Sequence, residues 1–67
     1  PLDVIEFLTD QYNQTREPGV LYGSGMIAKY YGDHEIAKQD LRQFLKKSND
    51  NEYKLMRRKA KNTLSQL

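Results

Sequence analysis

Apolar residues recur at spacings of three and four through most of this chain, and that period demands helices rather than strands. Tyr53, Met56, Ala60, Leu64 and Leu67 form one such stripe near the carboxyl end. Ile36, Ala37, Leu41, Phe44 and Leu45 form a second. At about 100° per residue, Val4, Ile5, Leu8 and Tyr12 share a third face. Breaks between the stripes carry capping residues, so the pattern predicts an all-α fold, a small bundle of about four helices.

The first helix is expected over residues 3–14. Asp3 and Glu6 have capping-box spacing, and Asp3, Glu6 and Asp10 line a face away from the apolar stripe, whose margin is Phe7. Residues 15–23 read as a loop, because Pro18-Gly19 is a turn dipeptide and Gly23 and Gly25 add freedom. Within it Val20-Leu21-Tyr22 is a short apolar patch expected to lie against the helices. Ser24 is read as the N-cap of a short helix over 25–31 carrying Met26, Ile27, Tyr30 and Tyr31. Gly32 suits a C′ position with positive φ, and Asp33 then caps a helix over 34–47, with Asp40 at the edge of its apolar face. After the break Ser48-Asn49-Asp50-Asn51, Asn49 and Glu52 again have capping spacing, for a last helix over 50–65.

At 67 residues the chain is read as a single helical domain, 1–67. A domain of this size buries only about 60% of its unfolded surface, so its core is thin and a partner or a second copy would help it. Without cysteine there is no disulfide framework and no thiolate metal site. No apolar run approaches the roughly 20 residues of a membrane span, and no secretory leader pattern is visible, so no membrane partner is expected. Pro1 fits either a start exposed by removal of an initiator methionine or the edge of an excised domain.

Charge is segregated along the chain. Residues 1–37 hold two bases and six acids, a net of −4, whereas residues 38–67 hold nine bases and three acids, a net of +6. Together they give the formal +2 of the whole chain. Clustered positive charge attracts polyanions and steers their approach. Lys38, Arg42 and Lys46 recur every fourth residue opposite the core stripe of the third helix, flanked by Gln39 and Gln43. Lysine and arginine neutralise phosphates, arginine pairs with guanine and glutamine with adenine. On the fourth helix Lys54, Arg57, Arg58 and Lys61 span a sector beside the core stripe, with Lys59 on the other flank. The plainer readings are a solvated helix face for the first set and, for the second, pairing with Asp3, Glu6 and Asp10. Such surface pairs contribute about 0–1 kcal/mol.

Ile27-Ala28-Lys29-Tyr30-Tyr31-Gly32 followed by a basic helix resembles a helix-turn-helix. Ala28 and Gly32 have the spacing of the small residue and the turn glycine, and Ile27, Tyr31 and Leu41 fall at core positions. Asp33 stands where an apolar residue is usual, and Lys38 falls at the position of the second helix's buried aliphatic. The resemblance implies a third helix in the major groove.

Catalysis is not expected. His34 is the one histidine, and with no cysteine it cannot anchor an ordinary zinc site. Gly19, Gly23 and Gly25 are not followed by Gly-Lys-Ser/Thr, so no nucleotide loop forms, and 50–52 lacks an EF-hand's spacing. No cofactor or metal is implied. Tyr30 and Tyr31 are read as core and rim rather than a base-stacking platform, and the one that must point partly outward could stack on a base.

Two functions follow. The first is a small nucleic-acid-binding protein, DNA before RNA, acting as a regulatory or accessory factor through Lys38, Gln39, Arg42, Gln43, Lys46, Lys54, Arg57, Arg58 and Lys61. That function implies a cytoplasmic, nucleoid-associated or a nuclear location. The second is a protein-interaction module docking through the Val20-Leu21-Tyr22 loop or the outward Leu55, its polarised charge complementing an acidic partner or joining two copies head to tail, or a homodimer.

Overall fold

Three side-chain caps divide the chain into its helices. The computed structural model describes residues 2–67 as α1 (Leu2–Thr15), α2 (Pro18–Tyr30), α3 (His34–Lys47) and α4 (Asp50–Gln66), with no strand among them. Pro1, and with it the reading of the chain start, lies outside those residues. The Glu17 carboxylate accepts the Gly19 N–H at 3.3 Å, Asp33 accepts that of Ile36 at 3.4 Å, and Asn49 that of Glu52 at 3.0 Å. Each satisfies an N–H that the first helical turn leaves without a partner. Gly32 ends α2 with φ +82°, a conformation that side chains with a Cβ rarely adopt.

The expected loop over 15–23 and short helix over 25–31 are instead one continuous helix, α2. Pro18 occupies its first turn, where a missing N–H costs nothing, rather than a turn. The helical glycines each lose about 1 kcal/mol against alanine, and burial of Leu21, Ser24, Gly25 and Ala28 offsets that. Leu21 is therefore core rather than a loop patch. Ser24 is not a cap: it is fully buried, and its hydroxyl donates to Asp40 Oδ2 at 2.5 Å. Asp3 is not a cap either. It sits inside the first turn of α1, where the helix dipole favours a carboxylate.

The α2–α3 pair is the centre of the fold. Gly25 faces Leu41 so closely that an added Cβ would stand 2.8 Å from Leu41 Cγ. Ala28 and Ala37, both fully buried, continue this seam and meet Ile5 of α1. Toward α4, Leu21, Leu41, Phe44 and Ala60 form the main cluster, with the Phe44 ring 5.3 Å from that of Tyr22 and 5.7 Å from that of Tyr53. α1 packs on α2, and α4 packs mainly on α3. The first turn of α4 is kinked at Tyr53, with φ −126° and ψ 29°. From there the Tyr53 hydroxyl donates to Glu17 Oε1, fastening α4 to the start of α2. The carboxylate acceptor, with some burial and the charges of Glu17 and Glu52, pushes the phenol up to about 12.

Asp40 gives this seam a pH response. Burial raises its carboxyl above the ordinary 3.8, and the Ser24 hydrogen bond opposes that. A raised acid stabilises the fold fully below pH 3.8 and loses that contribution as pH rises through its folded value. Asp40→Asn keeps an acceptor for Ser24 and removes the charge. It is expected to stabilise the protein at pH 7 by less than about 1 kcal/mol, since the group is only half-buried, and to flatten the acid side of the stability profile. Urea unfolding at neutral and acid pH reads both effects.

Candidate nucleic-acid interface

The α3 stripe forms because its apolar residues fall on one side. Ala37, Leu41 and Phe44 are fully buried, which leaves Gln39, Arg42, Gln43 and Lys46 in solvent and Lys38 half-buried. On α4, inward Ala60 and Thr63 turn Lys54, Arg58 and Lys61 outward. An open surface cleft of about 450 Å³ runs along this sector, lined by Asp50, Asn51, Lys54, Arg57, Arg58 and Lys61.

Arg57 differs from the other predicted contacts. Its Nε donates to Asp50 Oδ1 at 2.8 Å, the one ion pair among the described residues. One terminal nitrogen donates to the Leu45 carbonyl at 2.6 Å, to the Ser48 carbonyl at 3.1 Å and to the Ser48 hydroxyl at 2.9 Å. It thereby caps the last turn of α3, whose carbonyls have no partners within that helix. Arg57 is a brace, and it sets the basic sector of α4 beside the end of α3, where Lys46 and Lys47 stand. Arg57→Ala is expected to cost about 1–3 kcal/mol in urea unfolding, the range for removing hydrogen bonds to a charged group. Arg57→Lys is expected to recover little, because an ammonium cannot span these acceptors as the planar fork does.

The acids of α1 do not neutralise this surface. α1 does not pack on α4, and no Asp3, Glu6 or Asp10 pair with a base occurs among the described residues. Lys47, exposed in the last turn of α3, extends the basic surface beyond the stripe of Lys38, Arg42 and Lys46. Its sequence signal is position alone, since cations are favoured at a helix C-terminus.

The helix-turn-helix resemblance holds at some positions. Ala28 and Leu41 are fully buried and Gly32 turns the chain. Tyr31, expected in the core, is 61% exposed, and Tyr30 is 83% exposed. Both rings point outward, edge to face with centroids 5.2 Å apart. Ala37 rather than residue 38 is the early buried position of α3, and a close approach of α2 to α3 lies at Gly25, three residues before Ala28. His34 is exposed, and no cluster of three metal-ligating side chains occurs among the described residues. No helix among the described residues is long and apolar enough to cross a membrane.

No protein-family model matches the chain, and comparison with curated proteins and with solved structures finds none similar to it.

Proposed function

We propose that the protein is a small, non-catalytic nucleic-acid-binding factor that engages double-stranded DNA through α3 and α4 in a regulatory or accessory role. One observation carries this reading. Arg42, Lys46, Lys54, Arg58 and Lys61 stand in solvent on two adjoining helices, and none is paired with a carboxylate among the described residues. Their charge is available to phosphates, and each phosphate neutralised releases counterions. α3 enters the major groove, with Arg42 suited to guanine and Gln39 and Gln43 to adenine. Lys38, Lys46 and the α4 sector hold the backbone, and Arg57 keeps α4 in place behind them. The acidic face of α1 points away from the duplex. Such a protein works at the nucleoid of a bacterium or in a nucleus.

The test is fluorescence anisotropy with a random duplex of about 25 base pairs at several salt concentrations. Micromolar affinity that weakens steeply with salt supports the reading, with a slope of about 0.9 per phosphate contact. No binding at low salt overturns it. A second reading, docking on another protein, is favoured by Leu55, which is 66% exposed on α4. Leu21 does not contribute to it, being buried.

A further inference from the structure

We infer that the outward face of α1 and the Leu55 face of α4 are the two halves of a head-to-tail contact between copies of this chain. Phe7, 60% exposed, stands on α1 with Asp3 four residues before it, Glu6 beside it and Asp10 three residues after it, all in solvent. Leu55, 66% exposed, stands on α4 with Glu52 three residues before it and Arg58 and Lys59 three and four residues after it, all in solvent. Residues three and four apart share a helix face. Each face is thus a large apolar side chain flanked by charge, negative on α1 and, with two bases against Glu52, net positive on α4. Monomers expose single apolar residues freely, so neither side chain alone identifies a contact. The match of opposite charge around each of them selects the occupant.

The same charges exclude the other pairings. Two α1 faces would set carboxylates against carboxylates, and two α4 faces would bring two net positive charges together, which is costly. α1 and α4 do not pack on each other within a copy, so the two halves are both free for neighbours. A contact of unlike patches is heterologous and extends into rows unless the rotation closes. The row goes beyond the nucleic-acid reading and shares only Arg58 with it. Leu55 lies about 100° around α4 from Lys54, so Lys54 and Lys61 stay open in an assembled copy while Arg58 borders the contact.

Sedimentation equilibrium without any nucleic acid tests the contact, so its outcome is independent of DNA binding. The wild type is expected to exceed its 7.9 kDa monomer mass increasingly between about 10 µM and about 1 mM at low salt, and to fall back toward it near 0.5 M salt. Phe7→Asp and Leu55→Asp should each be monomeric with unchanged circular dichroism. Their mixture should form a two-chain species, because each variant keeps the half that the other has lost. Where either variant loses helix, Phe7→Ala and Leu55→Ala replace the pair. A wild type that stays monomeric, single variants that associate like the wild type, or a mixture that stays monomeric each overturns the proposal.

Discussion

Gly25→Val is expected to destabilise the protein by about 3 kcal/mol, at the upper end of the range for overpacking a close-packed core. A Cβ at this position meets Leu41 Cγ at 2.8 Å, Leu41 Cδ2 at 2.9 Å and Asp40 Cβ at 3.3 Å. Leu41 is fully buried and cannot turn aside without opening the Phe44 cluster. A domain of this length is stable by roughly 3–10 kcal/mol in total, so the loss is a large share. Gly25→Ala brings the same first clash, partly offset by about 1 kcal/mol of helix propensity. Gly23 supplies the control. It lies on the same helix with nothing within 4 Å of an added Cβ, so Gly23→Ala is expected to stabilise by up to about 1 kcal/mol. Urea unfolding followed by circular dichroism reads the opposite signs. Equal effects at the two glycines would remove the close α2–α3 approach from the account of this fold.

The double variant Arg42→Glu, Lys46→Glu is expected to lower duplex affinity at least about 100-fold at low salt, with a shallower salt slope. Two phosphate partners become repulsive, and the third helix loses its candidate guanine reader. Both side chains are exposed and neither holds a hydrogen bond to another part of the chain among the described residues, so the helix content should not change. Full binding by the folded double variant would remove α3 from the interface and leave the α4 sector as the contact. Loss of binding with loss of fold would be read against Arg57→Ala, which acts on the brace and leaves Arg42 and Lys46 intact.

The second half of the fold was legible in the sequence because its signals are local. Asp33 and Asn49 cap helices whose apolar stripes follow at once, and Gly32 takes the conformation that its position requires. α2 was not legible, because its evidence lies elsewhere in the chain. Pro18-Gly19 and the later glycines look like a loop until Leu41 is placed beside Gly25 and Asp40 beside Ser24. Those partners are sixteen residues away, beyond the reach of any capping or turn rule. The candidate site divides the same way. The outward positions of Arg42, Lys46, Lys54 and Lys61 follow from helical period alone. Arg57 has the same period, but its role depends on where the last turn of α3 ends. A base in the second turn after a helix break can reach back to the carbonyls left open there, and that is the signal to look for.

The order of packing also bears on how the chain finds this structure. Its main contacts join helices that are neighbours in sequence, α1 with α2, α2 with α3 and α3 with α4. Little loop-closure entropy is lost before such contacts form, and proteins of this topology fold in microseconds to milliseconds. The outermost helix, α1, rests mainly on α2, so it can detach while the remaining three stay assembled. Amide protons of α1 should therefore exchange ahead of those in the α2–α3 seam, which open only when the whole molecule does.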